Sequence, residues 1–322
     1  LRAEGIGIMN RIRVAAPARL HMGMFDLAGT LGRRFGGIGA TIERPQVIIE
    51  AALSDELQVD GPDSDRALLY AQRYFLANDI QTGASLSIQK AIPAHAGLGS
   101  GTKLALTVAY ALATLYGKTT DPYVLAHTVG RSSRSAIGLW TFSQGGFVVE
   151  GGQWPERDDV APLLVRYQVP NSWRCVLAIP HTSPGLSGQK EHEAFQQLSS
   201  SPEQAAAITH LVLMSVLPAL VEERLPEFGE ALTRLQRLVG ESFSPIQGDR
   251  FASPLSAQMI AAMLEWGAAG AGQSSWGPTV YGLVEGDEQA RRLEEYMHTR
   301  FAEQGTVSVV KFDNDGVRVQ YL

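Results

Sequence analysis

The stretch Pro93-Ala94-His95-Ala96-Gly97-Leu98-Gly99-Ser100-Gly101-Thr102-Lys103 runs directly into an apolar segment that ends near Tyr116. Leu104, Val108, Ala111, Leu112 and Leu115 recur at helical spacing, so the segment is a helix with a buried face. Gly117 is a suitable stop. A glycine-rich turn that opens a helix lets the backbone approach a ligand closely. It also presents unpaired N–H groups and a partial positive charge, which suit phosphate. Gly97, Gly99 and Gly101 with the hydroxyls of Ser100 and Thr102 and the cation of Lys103 make this an anion-binding loop rather than a plain turn.

The chain of 322 residues is long enough for two domains by the usual scale of roughly 100–200 residues each. A net charge of −6 argues against a broad nucleic-acid surface. Cys175 is the single cysteine, so neither an intrachain disulfide nor a cysteine zinc cluster can form, and its apolar surroundings read as core. That cysteine usage fits a reducing, cytoplasmic setting. No apolar run is expected to reach membrane-spanning length, and Leu1–Gly7 lacks the apolar run of a signal peptide.

Strands are expected at Ile12–Ala16 (ending at Pro17), Gln46–Leu53, Glu56–Asp60, Ala84–Lys90, Phe147–Glu150, Leu163–Val169 and Arg174–Ile179. Helices are expected at Ser64–Ala77 and from Asp121 to Gly130, with Gly23–Gly39 as a connection and Gly151–Pro162 as a surface excursion. The second half reads as helices at Pro202–Glu222, Pro226–Val239, Ser253–Gly267 and Asp287–Arg300. Strands follow at Thr279–Val284, Val307–Phe312 and Val317–Leu322. The order describes an α+β fold of two halves, 9–172 and 173–322.

Four further clusters carry chemistry-bearing side chains. Arg19 and His21 alternate from a strand end and share a face, with Asp26 next. His21 and Asp26 would form an acid/base pair or orient a substrate. Arg33 and Arg34 follow, before Gly36-Gly37-Ile38-Gly39. Arg131 and Arg134 either face one anion or complement a helix end. The loop from Pro180 leads through Gly185 and Gly188 to Glu191, early in a helix. Gly270-Ala271-Gly272-Gln273-Ser274-Ser275-Trp276-Gly277 reads as a second Gly/Ser loop that would meet the first over one ligand. His95 is expected to face that ligand.

Pro93 to Ser100 resembles the phosphate loop of the galactokinase–homoserine kinase–mevalonate kinase (GHMP) superfamily, usually Pro-x-x-x-Gly-Leu-Gly-Ser-Ser, with Gly101 replacing the second serine. Val14–Gly23 resembles its opening motif, and Gly270–Gly277 its closing loop. The resemblance implies an N-terminal domain like ribosomal protein S5 domain 2 and a ferredoxin-like C-terminal domain. Kinases of the superfamily carry Ser-Gly-x-Asp with Gly-Gly downstream. Laid on Ser135 and Gly145-Gly146, that pattern puts Gly138 where the aspartate belongs, and glycine cannot organise an acceptor hydroxyl.

The details resemble instead the β-ribofuranosylaminobenzene 5′-phosphate synthases, a divergent branch. The strings that carry this are Arg19-Leu20-His21 with Asp26, Gly36–Gly39, His95–Thr102, Gly185–Gly188 with Glu191, and Gln273–Thr279. That resemblance implies condensation of phosphoribosyl pyrophosphate (PRPP) with 4-aminobenzoate or 4-hydroxybenzoate. CO2 and pyrophosphate would leave and a C-glycoside would form, toward methanopterin-type cofactors, with Mg2+ sharing the phosphate charge and a homodimer as the assembly. On this reading His21, Asp26 and Glu191 are catalytic. Arg19, Arg34, His95, Gly97, Leu98, Gly99, Ser100, Gly101, Thr102, Lys103, Arg131, Arg134, Gln273, Ser274 and Ser275 hold substrate. A GHMP-type ATP-dependent kinase and a non-catalytic PRPP or nucleotide sensor are the alternatives.

Overall fold

The computed structural model describes residues 11–131, 135–157, 159–182, 193–195, 197–198 and 200–322. Two sheets organise it. The first follows the order β11-β1-β2-β4-β3, with β5 pairing β2 and β6 pairing β5. Its strands are β1 (Arg11–Asp26), β2 (Phe35–Ser54), β3 (Gln58–Asp60), β4 (Gly83–Lys90), β5 (Phe147–Glu150), β6 (Leu163–Tyr167) and β11 (Arg318–Tyr321). The second is antiparallel in the order β10-β7-β9-β8, from β7 (Trp173–Pro180), β8 (Gly270–Gln273), β9 (Val280–Glu285) and β10 (Gly305–Lys311). The closing strand β11 leaves the second half of the chain and pairs with β1 in the first sheet.

The helices α1 (Ser64–Ala77) and α2 (Ser100–Leu115) pack together against the first sheet, around Val14, Ala16, Ile49, Leu86, Leu104 and Val108. Helix α3 (Pro122–Thr128) is capped by Asp121, whose side chain accepts the Tyr123 and Val124 N–H groups, with proline in its first turn. A short helix α4 (Ile137–Ser143), which the sequence pattern does not announce, packs on α2. Helices α7 (Leu225–Gln247), α8 (Pro254–Trp266) and α9 (Gly286–Phe301) lie on the second sheet, while α5 (Pro202–Leu211), a π turn at Val212–Val216 and α6 (Leu217–Val221) pack on α7, with α5 also against β1; their apolar faces extend the core. Cys175 is fully buried in β7, and burial pushes its thiol up, consistent with a core residue.

Three expectations are corrected. Strand β1 does not stop at Pro17. A register shift between Pro17 and Ala18 lets the proline sit within the pairing, and the strand continues to Asp26. The connection expected over Gly23–Gly39 is therefore only the turn between β1 and β2. Gly270–Gln273 is a buried strand, not a loop. A Cβ on Gly270 would lie 2.5 Å from Gly229 Cα, and one on Gly272 would lie 2.5 Å from Gln236 Cγ. Its glycines serve close strand-to-helix packing against α7. Finally, Pro202–Val221 does reach the length and hydropathy (mean 1.8) of a membrane-spanning helix. Its Ala205, Ile208, Val212, Val216, Ala219 and Leu220 are buried, as in a core helix, while Leu213 and Met214 are 64% and 63% exposed.

Candidate active site

The glycine loop enters α2 with Gly99 in the left-handed region at φ 80°, and no side chain caps the helix. The Lys103 N–H bonds the Gly99 carbonyl at 3.0 Å. The N–H groups of Ser100, Gly101 and Thr102 precede that first bond and form the open end of the helix. Two guanidiniums converge there. Arg66 Nη2 lies 3.0 Å, and Arg131 Nη2 3.3 Å, from the position a Cβ on Gly101 would take. Arg131 also stacks 5.2 Å from the Tyr70 ring and donates to its hydroxyl, and Arg66 is 3.3 Å from Asp63 Oδ1. Helix N-terminus and paired arginines together form a cationic concavity suited to phosphate oxygens. Arg131 was expected here. Arg66 was missed, because one arginine on the α1 surface carries no local signal.

Three distant segments are tied together beside this loop. The Ser274 hydroxyl donates to the Gly97 carbonyl at 2.7 Å and accepts the His21 N–H at 3.0 Å. The Ser275 N–H donates to the His21 carbonyl at 3.0 Å, and Arg19 Nη1 donates to the Gly97 carbonyl. Gly97 is at φ 77°, and a Cβ there would stand 2.3 Å from the Ser274 carbonyl oxygen. Gln236 of α7 closes the arrangement. Its Nε2 donates to the Met22 carbonyl, and its Oε1 accepts the Gln273 N–H at 2.9 Å. The two Gly/Ser segments therefore meet, and both are hydrogen-bonded to β1.

His21 is buried, and burial, reinforced by the Arg19 charge, lowers its pKa to about 3, so its ring is neutral at neutral pH. Its Nε2 sits 3.2 Å from Ser135 Oγ, not beside Asp26. Behind Ser135 lies Glu150, fully buried, whose Oε2 accepts the Gly152 N–H at 2.7 Å. Burial pushes its carboxyl up to about 7 against the opposing hydrogen bonds of Gly152, Ser135 and Ala136 and the Arg33 charge. His21, Ser135 and Glu150 thus form a buried polar line that strand alternation alone did not reveal.

Other expected residues serve the scaffold. The expected His21–Asp26 pair does not form. Asp26 accepts the Ala28, Gly29 and Thr30 N–H groups and the Thr30 hydroxyl at 2.8–2.9 Å, building the turn after β1. Partial burial raises its pKa, but those donors outweigh it and the net shift is downward. Arg34 Nε donates to the Leu27 carbonyl, and Arg33 holds the Gly151 and Gly152 carbonyls. Leu98 is buried, so only its backbone faces outward, and its carbonyl accepts the Arg19 N–H at 3.3 Å. Gln273 accepts the Ala252 N–H at 2.7 Å and donates to the Ser275 carbonyl at 3.0 Å. Lys103 is fully buried and donates to Thr141 Oγ1 at 3.1 Å, so its ammonium is not presented to a ligand at the helix end. Burial and the Arg19 charge hold its pKa well below the ordinary range, against the pull of Asp313. His95 is exposed in the left-handed region at φ 57°. Glu191 and Arg134 lie outside the described residues.

His21 also lines a pocket that is partly open to solvent. Met24, Phe195, Val239, Phe243 and Phe251 supply apolar walls, and His21, Gln273, Ser275, Gln247 and Arg250 supply polar groups. Phe195 and Phe243 pack edge-on to Trp276 at 5.3 and 4.5 Å between ring centroids, which stiffens one wall. The anion-binding helix start and this pocket, with its apolar walls and a few polar groups, are joined through His21, Ser274 and Gly97.

Comparisons with known proteins agree with this architecture. The profile of the GHMP kinases N terminal domain matches residues 65–141, and that of the GHMP kinases C terminal matches residues 216–303. The β-ribofuranosylphenol 5′-phosphate synthase of Archaeoglobus fulgidus is 34% identical over 324 residues, covering 96% of this chain and 99% of the relative. That of Methanocaldococcus jannaschii is 30% identical, covering 95% and 99%. The chain belongs to the β-ribofuranosylphenol 5′-phosphate synthase family. It is an enzyme, a transferase built on the GHMP kinase fold. Solved structures show the fold: homoserine kinase from Cytophaga hutchinsonii matches at a TM-score of 0.68 with 19% identity, covering 99% of this chain and 100% of that one. Methanococcus jannaschii mevalonate kinase matches at 0.66 with 13% identity, covering 94% and 98%.

Proposed function

We propose that this synthase joins C1 of PRPP to the carboxylate-bearing ring carbon of 4-hydroxybenzoate, releasing CO2 and pyrophosphate and forming a β-ribofuranosylphenol 5′-phosphate. The observation that carries the reading is the direct hydrogen-bonded junction of the anion-binding helix start with the aromatic-walled pocket through Gly97, Ser274 and His21. The family name, with phenol in it, favours the hydroxy acid over the amino acid as acceptor.

The C1–oxygen bond breaks with its electron pair leaving on pyrophosphate, and C1 becomes oxocarbenium-like. The ring carbon para to the hydroxyl attacks C1 with a π pair. The bond to the carboxyl carbon then breaks, CO2 leaves, and its pair restores the aromatic ring. No external oxidant, reductant or base is required by this balance. The open α2 N–H groups with Arg66 and Arg131 stabilise the charge that grows on the leaving pyrophosphate. Neutral His21, its Nε2 beside Ser135 and its N–H bonded to Ser274, borders the pocket without adding a competing charge.

The residues present suit a Mg2+ carried on the pyrophosphate. Among the described residues no group of three His, Cys, Asp or Glu side chains forms a metal cage. The hydroxyls of Ser100 and Thr102 at the helix start would complete the ion's shell, and the ion supplies charge neutralisation. Phosphoryl transfer to an alcohol is disfavoured by Gly138. It is buried, and a Cβ there would already lie 3.0 Å from Thr102 Cγ2.

The test is one incubation of the protein with PRPP, Mg2+ and carboxyl-labelled 4-hydroxybenzoate. PRPP-dependent release of labelled CO2 with equimolar pyrophosphate is expected. ADP formed from ATP in the absence of PRPP, or PRPP binding without turnover, would overturn the proposal in favour of a kinase or a sensor.

A further inference from the structure

We infer that Glu150 and Ser135 are positioning residues that set which nitrogen of His21 carries its proton, and so decide whether His21 offers the pocket a hydrogen-bond donor or a lone pair. A serine hydroxyl has one proton to donate and two lone pairs that accept. The Ser135 oxygen accepts the Ile137 N–H at 3.3 Å, which occupies one lone pair. One donor and one acceptor position remain. They are shared by His21 Nε2, at 3.2 Å, and the Glu150 carboxyl. One of these two neighbours therefore receives the Ser135 proton, and the other donates to Ser135.

Glu150 decides which. Its Oε2 accepts the Gly152 N–H at 2.7 Å. Its Oε1 is sealed from solvent without a close partner, so the contact with Ser135 is looser than the bond to Gly152, and one oxygen is left to carry an acid proton. An ionised carboxyl only accepts. It takes the Ser135 proton, and His21 then turns a protonated Nε2 to Ser135. A protonated carboxyl donates to Ser135, Ser135 donates to Nε2, and the ring proton sits on Nδ1. The ring is neutral in both states, and the one proton exchanged with solvent belongs to Glu150. His21 keeps 6% of its surface exposed and lines the pocket. Among the described residues no group bonds its Nδ1, which is not fully enclosed, so Nδ1 is the ring nitrogen a ligand can reach. An N–H there suits an anionic or carbonyl oxygen, and a lone pair repels one.

The surroundings put this exchange near neutrality. Burial holds the Glu150 carboxyl at about 7, with Arg33 as the opposing charge; its guanidinium bonds the Gly151 and Gly152 carbonyls. The register partners of Glu150 are Gly37 in β2 and Leu163 in β6, and α4 carries no charged side chain. On the His21 side the charge is Arg19, which together with burial keeps the ring from becoming an imidazolium.

The experiment is two-bond proton–nitrogen NMR of the full chain labelled with 15N-histidine, without substrate, from about pH 5 to pH 9. The His21 signals are those lost in His21→Gln. Below a midpoint of about 7 the parent should show Nδ1 protonated and Nε2 bare, and above it the reverse. Glu150→Gln, whose amide donates to Ser135 at every pH, should hold the Nδ1–H form throughout. Ser135→Ala should abolish the pH response, and Ser135→Thr, which keeps the hydroxyl, should restore it. Thermal unfolding confirms folded variants, and the parent titration with the two Ser135 variants decides the matter where Glu150→Gln does not fold. A parent tautomer that stays constant across the range, an exchange that persists in Glu150→Gln or Ser135→Ala, or an imidazolium in place of either neutral form would overturn the assignment. Because no substrate is present, that result would leave the proposed reaction standing.

Discussion

Replacing Ser274 with alanine removes one oxygen that bridges two segments of the site. The Ser274 hydroxyl is fully buried, accepts the His21 N–H at 3.0 Å and donates to the Gly97 carbonyl at 2.7 Å. The two losses are unequal. The Gly97 carbonyl keeps Arg19 Nη1 as a donor, whereas the buried His21 N–H loses this bond. An orphaned buried donor costs about 1–3 kcal/mol, and the loss of one of two bonds to the carbonyl adds less than about 1 kcal/mol. Ser274→Ala should therefore cost about 2–3 kcal/mol, lowering Tm by about 3–5 °C for a chain of this size. Calorimetry at fixed protein concentration measures it. The double variant with Arg19→Met strips both of these donors from the Gly97 carbonyl, so its loss should exceed the sum of the single losses by about 1–2 kcal/mol. A single loss under about 0.5 kcal/mol, or strict additivity in the double variant, would refute the reasoning.

Glu150→Gln isolates one titration. The folded pKa is raised to about 7, so the folded state holds a proton that the unfolded chain releases near its ordinary value. The stability this contributes is present below the unfolded value and is lost as pH rises through about 7. The parent should lose about 3 kcal/mol relative to Glu150→Gln between pH 4 and pH 8, read from Tm differences of the two proteins at each pH. Arg66→Ala and Arg131→Ala should each raise KM for PRPP about tenfold, while KM for the aromatic acid stays within twofold, in steady-state assays at fixed ionic strength. Lys103→Met should leave PRPP affinity within twofold by calorimetry and leave Tm equal or higher, since a buried amine is replaced by an apolar group of similar reach.

Much of this was legible in the sequence because local signals are strong where a loop meets a helix. Pro93–Tyr116, the Asp121 cap with Pro122, and the Ser64–Ala77 helix were readable from glycine placement, capping residues and apolar spacing. That the two Gly/Ser segments would come together was also readable, but not that Ser274 bonds the Gly97 carbonyl. What stayed hidden depends on contacts far apart in the chain. Gly270 and Gly272 look like loop residues until α7 is seen against them. Lys103 reads as a phosphate cation until α4, bearing Thr141, is found packed on it. Asp26 pairs with its own following turn rather than with His21, a choice that local spacing leaves open. Arg66, Gln236 and Glu150 become candidates only when topology brings Arg66 to α2, Gln236 to β1 and Glu150 beside Ser135.

The most direct test of the proposed chemistry is the bond it forms. PRPP labelled with 13C at ribose C1 is incubated with Mg2+ and 4-hydroxybenzoate labelled with 13C at the carboxylate-bearing ring carbon, and the product is analysed by 13C NMR. A one-bond coupling between the two labelled carbons, with the carboxyl carbon gone, is the expected result. A product that keeps its carboxyl group, or joins C1 to an oxygen, would contradict it.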